Sequence, residues 1–139
     1  MSTSIVMADL GIDLLLPAWL EANAALLHLF CNNYTPVRGM TPSSFTEASG
    51  GGYAAITLEA ANWTEETGDT PRQIQQPNQT FTFTGALTTN TTVYGYYVTN
   101  AAGAVVLWAQ LLDAPFTPAN NGDNIVVPVK LQASGGTPS

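Results

Sequence analysis

The stretch that decides the fold reads Val93-Tyr94-Gly95-Tyr96-Tyr97-Val98-Thr99-Asn100-Ala101-Ala102-Gly103, and a second apolar run follows over Ala104–Leu112. Both runs are rich in apolar, aromatic and β-branched residues, which favour extended strands. The Asn and Gly between them readily adopt the left-handed backbone conformations that a tight turn needs. The stretch therefore predicts an antiparallel hairpin.

Shorter β-like runs lie on both sides of this hairpin. Residues 80–84 alternate strictly, so we expect Phe81 and Phe83 to face the core and the threonines to face solvent. Further strands are predicted over Leu26–Cys31, Tyr53–Leu58 and Ile125–Leu131, with two more if the segments around Ala61–Glu65 and Phe116 pair. Turns rich in Gly, Asn and Pro separate these runs. The pattern predicts a mainly β fold, an antiparallel β-sandwich or flattened barrel with a short N-terminal helix.

The N-terminal helix is predicted from a change of periodicity. Apolar residues recur at three- and four-residue spacing over 8–25, with Pro17 kinking or starting the helix. The segment has more apolar residues than one helical stripe can hold, because a stripe takes three or four positions in two turns. We therefore expect Leu10 and Leu14, together with Trp19, to form a surface covered by another chain. The alternative is that the long loop 36–52 folds over it.

The length of 139 residues fits a single domain, 1–139. Residues 1–7 and 133–139 are expected to be flexible ends of this domain. The loop 36–52 is rich in Gly, Pro, Ser and Thr, and Phe45 is its expected anchor.

Charge is scarce and mostly negative. Charged residues make up 9% of the chain, against roughly 25% in typical soluble domains. Ten acidic residues face only Arg38, Arg72 and Lys130, too few cations to neutralise a row of phosphates. This balance argues against direct binding to nucleic acid or to an anionic membrane. A surface made largely of Thr, Asn, Gln, Ser and Gly suits a protein that is covered by neighbours.

The residues that usually carry chemistry are few. His28 is the only histidine and Cys31 the only cysteine, and on a strand they would point to opposite faces. A structural zinc site needs more such ligands. Glu65, Glu66 and Asp69 are expected to form a solvated loop rather than a calcium site. The sequence thus predicts no enzymatic activity, no catalytic residues, no metal and no cofactor.

Five segments, taken in order, resemble a family of small proteins encoded by tailed bacteriophages, often near head genes. They are Leu29–Pro36, Gly52–Leu58, Thr80–Gly85, Val93–Thr99 and Ala114–Asp123, and the resemblance covers roughly residues 8–131. No enzymatic motif comes with it. The resemblance implies a structural virion protein, most simply a capsid decoration or cement protein on the capsid exterior, with the major capsid protein and further copies of itself as partners.

Such a protein would be made in the host cytoplasm. The single cysteine allows folding there without disulfides, and no cationic region precedes the apolar stretch Leu10–Leu20 as in a secretory signal. The alternative function is a tail or fibre component that binds a host-surface glycan. It would need an exposed aromatic strip, for which Tyr94, Tyr96 and Tyr97 in one strand and Trp108 in its partner are the candidates, with Tyr94 and Tyr96 on one face and Tyr97 on the other. The alternative is that these rings lie in the core.

Overall fold

Antiparallel strands are the main regular secondary structure of the computed structural model, which describes residues 6–7, 20, 22–66, 72–88 and 90–133. Single turns of 3-10 helix lie at Pro42–Ser44 and Ala60–Asn62. No helix in these ranges is long and apolar enough to cross a membrane. The strands are β1 (Val6–Met7), β2 (Ala25–Phe30), β3 (Ile56–Leu58), β4 (Thr64–Glu66), β5 (Arg72–Gln75), β6 (Gln79–Thr82), β7 (Val93–Asn100), β8 (Val106–Phe116), β9 (Asn124–Val127) and β10 (Lys130–Ala133).

A five-stranded sheet in the order β1-β8-β7-β2-β3 forms the centre of the fold. The predicted hairpin of β7 and β8 is confirmed, with Tyr97 opposite Ala109 and Val98 opposite Trp108. Its turn passes through Gly103 at a φ of 72°, which Gly adopts at little cost. Strand β8 continues past the predicted end at Leu112, and it also pairs with β1.

The other five strands form two further ladders. The stretch of chain that contains β5 and β6 runs antiparallel to the stretch that contains β9 and β10. Strands β4, β5 and β10 form one sheet, and β6 pairs with β9. Three residues, 76–78, lie between β5 and β6, but only two, 128–129, lie between β9 and β10. One extra residue on one strand is typical of a β-bulge. Pro77 and Pro128 lie in this gap and have no N–H to donate. The single predicted strand Ile125–Leu131 is therefore wrong, because Pro128 divides it.

The main core joins the central sheet to these two ladders. It includes, among other buried residues, Leu27, Leu29, Val98 and Trp108 from the central sheet, and Phe81, Phe83, Val127 and Val129 from the β6 to β10 stretches. Phe81 and Phe83 are both buried, and the threonines that alternate with them are exposed, so the predicted facing of this segment is confirmed. Burial of these large apolar side chains supplies the main driving force for folding.

The other face of the central sheet is covered by the loop that follows β2. A second cluster there contains Phe30, Met40, Phe45, Tyr97, Val106 and Ala109. Phe45 is buried in it, which confirms its predicted role as the anchor of the loop. The loop is fixed through Asn32, whose side-chain amide donates to the carbonyl of Ser44 at 2.9 Å and whose amide oxygen accepts from the N–H of Thr46 at 2.8 Å. Strand β2 is buried on both faces as a result, in agreement with its nearly continuous apolar sequence.

Three consecutive glycines end this loop for a steric reason. Gly50, Gly51 and Gly52 all have positive φ, at 77°, 57° and 79°. A Cβ on Gly51 would lie 2.6 Å from the carbonyl oxygen of Gly85 and 2.8 Å from that of Ala86. The carbonyl of Gly51 accepts a hydrogen bond from the N–H of Thr84 at 2.8 Å. The glycines therefore permit a close contact between two backbones.

Several element bounds differ from the sequence-based predictions. Most of the predicted helical segment 8–25 lies outside the described residues, and its last residue, Ala25, already belongs to β2. Val6–Met7 forms β1, so the expected flexible start 1–7 is paired at its end. Strand β3 is shorter than the predicted Tyr53–Leu58, and β5 was not predicted. The predicted flexible tail begins with Ala133 in β10, and residues 134–139 lie outside the described part.

Candidate functional site

His28 lies at the centre of a hydrogen-bonded network that joins β2, β7 and the loop. Its Nδ1 is 2.7 Å from Oε2 of Glu47, and its Nε2 is 2.9 Å from Oγ1 of Thr99. The hydroxyl of Tyr53 donates to the same Oε2 of Glu47 at 2.7 Å and accepts from the N–H of Leu29 at 3.1 Å. The imidazole also stacks on Tyr97, with ring centroids 4.6 Å apart. Each polar atom of the His28 ring therefore has a partner.

Two arrangements of protons satisfy this network. The Thr99 hydroxyl lies 2.9 Å from the carbonyl oxygen of Asn100 and can donate to it, in which case it accepts from Nε2 of a doubly protonated His28. With a neutral ring, Nδ1 donates to Glu47 and the hydroxyl of Thr99 donates to Nε2 instead. Neither state leaves a buried ring nitrogen of His28 without a hydrogen bond.

The charges in this network are held by hydrogen bonds. Burial alone would raise the pKa of Glu47, but the hydrogen bonds from His28 and Tyr53 and the charge of His28 outweigh it and hold this pKa below the ordinary 4.5. Burial, with the neighbouring Glu47 carboxylate, raises the pKa of the Tyr53 phenol far above its ordinary value. The carboxylate is thus the charged acceptor and the phenol the neutral donor.

Thr99, His28 and Glu47 stand in the order of a nucleophile, a general base and an orienting acid, but the hydroxyl of Thr99 is buried. A catalytic hydroxyl must reach a substrate as well as its base. Thr99 is only 1% exposed, so no substrate can approach Oγ1 from solvent. Glu47, at 41% side-chain exposure, is the only open member of the three. The geometry fits a structural role, in which the network holds the loop on the sheet.

Cys31 directly follows β2, and its side chain lies on the face of the sheet opposite that of His28. It belongs to the main core with Leu27 and Leu29, while His28 contacts Tyr97 in the second cluster. The prediction that His28 and Cys31 point apart is therefore confirmed. Burial raises the pKa of the Cys31 thiol to about 11, so it is protonated and poorly nucleophilic at neutral pH.

The predicted acidic loop is partly strand. Glu65 and Glu66 lie in β4, and Asp69 lies outside the described residues. Within the described ranges, no group of three or more His, Cys, Asp or Glu side chains is placed to hold a metal ion.

The aromatic residues of the hairpin do not form a continuous exposed strip. Tyr96, Tyr97 and Trp108 are all buried. Tyr96 packs in the main core, whereas Tyr94 packs against the Phe30 cluster, so the prediction that Tyr94 and Tyr96 share a face is wrong. The physical reason is a register shift between Val93 and Gly95, which breaks the alternation of the strand.

Tyr94 instead borders an open polar depression at one end of the sheet. This depression has a volume of about 360 Å³ and is lined by Cys31, Asn33, Asn90, Thr91, Thr92 and Tyr94. Asn33, Asn90 and Thr91 are exposed, and Tyr94 is half-buried. It combines the segment after β2 with the segment before β7, which are distant in sequence and adjacent because β2 pairs with β7.

The residues predicted to form an interface, Leu10, Leu14 and Trp19, lie outside the described residues. Their role stays a prediction.

Glu47, Tyr53 and Thr99 were not singled out in the sequence. Of the three, only Glu47 is distinctive in the sequence, because it is the one charged residue between Gly39 and Leu58 and lies two residues after the anchor Phe45. Thr99 and Tyr53 are ordinary β-strand residue types, and only the folded arrangement of distant segments makes them members of the His28 network.

Comparisons with protein-family models, with curated proteins and with solved structures gave no match.

Proposed function

We propose that this chain is a structural virion protein of a tailed bacteriophage, a capsid decoration or cement protein that stabilises the head by protein–protein contacts. The observation that carries the proposal is that both faces of the central sheet are covered by other parts of the same chain. Within the described residues, one face packs on the main core and the other on the Phe45 loop. What remains for a partner is the outer surface of the protein.

The proposed architecture is a β-sandwich with a covering loop. One layer is the five-stranded sheet, and the other is made of the two ladders that continue each other across Pro77 and Pro128. The shared core of Leu, Val, Phe and Trp side chains supports this arrangement. Such a packed domain presents a stable surface without the need for a disulfide, and Cys31 is free.

The outer surface supports contact with proteins more than with polyanions. On the β6 and β9 strands the exposed residues are Thr80, Thr82, Asn124 and the half-exposed Val126. These side chains offer hydrogen bonds and modest apolar area without charge, which resembles the mixed composition of protein interfaces. The net charge of −7 disfavours adsorption to packaged DNA.

The proposed partners are the major capsid protein and further copies of this chain, on the exterior of the capsid. The N-terminal segment with Leu10, Leu14 and Trp19 is the proposed contact surface. Its excess of apolar residues is the reason, because soluble proteins seldom leave such residues in contiguous exposed patches.

The test is to quantify this protein in purified virions by mass spectrometry and to locate it by cryo-electron microscopy. We expect a copy number comparable with that of the shell subunit and density on the outer face of the head. Absence from purified particles would overturn the proposal. A copy number typical of a tail part would overturn the placement on the head and favour the tail or fibre component.

The contact surface is tested separately with recombinant protein added to particles that lack it. Replacing Leu10 and Leu14 with Ser should weaken binding to these particles and leave the thermal unfolding midpoint of the domain nearly unchanged. A matched control is Val37→Ser, which alters a 51%-exposed apolar residue on the loop. If the double variant binds with native affinity and keeps the oligomeric state of the parent, the N-terminal segment is not the attachment surface.

A further inference from the structure

The depression beside Tyr94 is lined by neutral residues, most of them polar. The lining residues are two Asn, two Thr, Tyr94 and Cys31, of which Cys31 is only 4% exposed. In the part of the chain that the structure describes, the side chains of Asn33, Asn90 and Thr91 make no hydrogen bond, and all three residues are exposed. Their hydrogen-bonding capacity is therefore open to a ligand.

Both walls of the depression are fixed in place. On one side, Asn32 is bonded to Ser44 and Thr46, and the N–H of Cys31 donates to the carbonyl of Thr46 at 2.7 Å. On the other side, the hydroxyls of Thr92 and Thr117 are 2.8 Å apart. These bonds hold the backbone on both sides of the depression, while the exposed side chains of Asn33, Asn90 and Thr91 would still lose rotamer freedom when a ligand binds.

The side of the depression that carries Thr92 is also held by the pairing of β7 with β8. Val93 pairs with Phe116, and the Tyr94 ring packs against the Phe30 cluster. The ring is held by its packed side, and Tyr94 keeps part of its surface open at the rim of the depression. An aromatic ring with an apolar face and a polar hydroxyl can contact the C–H face of a sugar while its hydroxyl makes a hydrogen bond.

The chemistry of the lining selects against charged ligands. None of the six lining residues is acidic or basic, and the Cys31 thiol, with its pKa raised to about 11 by burial, is protonated at neutral pH. A phosphate, sulfate or carboxylate would find no cation in this lining to offset the loss of its hydration. A neutral ligand with many hydroxyls finds amide and hydroxyl groups that both donate and accept. The depression has a volume of about 360 Å³ and is open to solvent, so a bound ligand would keep part of its surface in water.

We propose that this depression is a binding site for a neutral saccharide of one or two rings, with Asn33, Asn90 and Thr91 as hydrogen-bonding groups and Tyr94 as the stacking platform. This site goes beyond the proposed capsid role and does not depend on it, because the depression exists whether the protein lies on a head or on a tail. Its occupant is defined by chemistry: uncharged, rich in hydroxyls and with one apolar ring face.

The test is an NMR titration of isotope-labelled full-length protein. The probes are D-glucose, D-galactose, N-acetyl-D-glucosamine and maltose, with D-glucuronate as the charged comparison. We expect at least one neutral sugar to give saturable shifts in the side-chain amide signals of Asn33 and Asn90, and glucuronate to bind more weakly than glucose. The absence of saturable shifts at these two amides with all four neutral sugars overturns the proposal, and so does stronger binding of glucuronate.

Variants distinguish binding in the depression from binding elsewhere on the protein surface. Asn33→Ala and Asn90→Ala should each weaken binding about 3- to 10-fold, the loss expected for one hydrogen bond. Asn62→Ala is the matched control, because Asn62 is also exposed and its turn is held by its backbone N–H. Tyr94→Phe should retain most of the affinity, and Tyr94→Ala should lose it. If the two Asn variants bind as well as the control, the depression is not the site, whether or not Tyr94→Ala folds.

Discussion

The ring of Phe45 stacks on the ring of Tyr97, with centroids 4.3 Å apart and planes inclined by 6°. Tyr97 belongs to the central strand β7, and Phe45 belongs to the loop that closes over this face of the sheet. The same Tyr97 ring stacks with His28, whose Nδ1 contacts Glu47 two residues beyond Phe45. The loop is therefore attached twice to one small area of sheet, once by an apolar ring and once by a carboxylate.

The replacement Phe45→Ala should detach this loop. The expected loss in the free energy of unfolding is about 3–5 kcal/mol, from the lost transfer energy of the ring and the cavity beside Tyr97. The measurement is chemical denaturation, together with hydrogen exchange at the amides of Cys31 and Ala48, which donate to Thr46 and Leu29 across this loop. Val37→Ala, at a half-exposed position on the same loop, should change stability by no more than about 0.5 kcal/mol. Equal effects of the two replacements would show that Phe45 is not the anchor.

The Glu47 carboxylate should make stability depend on acid. Its pKa is lower in the folded protein than the ordinary 4.5, so its contribution is fully present above about pH 4.5 and is lost as the pH falls through the folded-state pKa. In Glu47→Gln this part of the stability profile should be flatter than in the parent protein. Denaturation midpoints measured between neutral and acid pH test the difference.

The cause of this lowered pKa can be tested directly by NMR titration of the Glu47 carboxyl group. We expect a midpoint below 4.5 in the parent protein. In Tyr53→Phe the midpoint should rise, because the phenol that donates to Oε2 at 2.7 Å is removed. A parent midpoint at or above 4.5, or an unchanged midpoint in the variant, would contradict the proposed network.

Gly51→Ala should destabilise the protein strongly, by more than about 3 kcal/mol. The residue has a φ of 57°, and a new Cβ would collide with two backbone carbonyl oxygens that cannot move independently of their own chain segment. Gly39→Ala is the control, because its added Cβ meets nothing within 4 Å and its φ lies outside the left-handed region. That control should leave the free energy of unfolding within about 1 kcal/mol of the parent, on the stabilising side if at all.

Phe81→Ala and Phe83→Ala should each cost about 3–5 kcal/mol of stability. Both rings lie in the main core, where Phe81 stacks on Tyr53 and Phe83 contacts Phe116. Thr82→Ala lies between them on the exposed face and should have little effect. Thermal or chemical unfolding of the three variants checks the facing of this segment, and an unchanged midpoint in both Phe variants is incompatible with it.

Local patterns in the sequence predicted much of the central architecture. The hairpin of β7 and β8, the alternation around Phe81 and the anchoring by Phe45 all follow from residue types a few positions apart. Strand bounds were less predictable. Pro128 divides a run that reads as one apolar strand, and β8 extends through Asp113 and Pro115, two residue types that strands disfavour.

The candidate site was much less predictable, because its parts come from distant segments. His28 and Thr99 meet only because β2 pairs with β7 in the register that places Leu26 opposite Thr99. Tyr94 changes sides at a register shift that no local signal announces. The depression beside it combines Asn33 with Asn90, and a sequence pattern carries no information about that proximity.

The order of strands in the central sheet has a consequence for folding kinetics. Strand β2 is synthesised well before its partner β7, and β1 well before its partner β8, because both pairs are distant in sequence. Such long-range pairings fold slowly, because loop closure must precede the gain from contact. Until the hairpin emerges, the apolar strand β2 has no neighbour in the described part of the sheet except β3. The nascent chain therefore passes through an interval in which chaperones or association with other chains compete with folding.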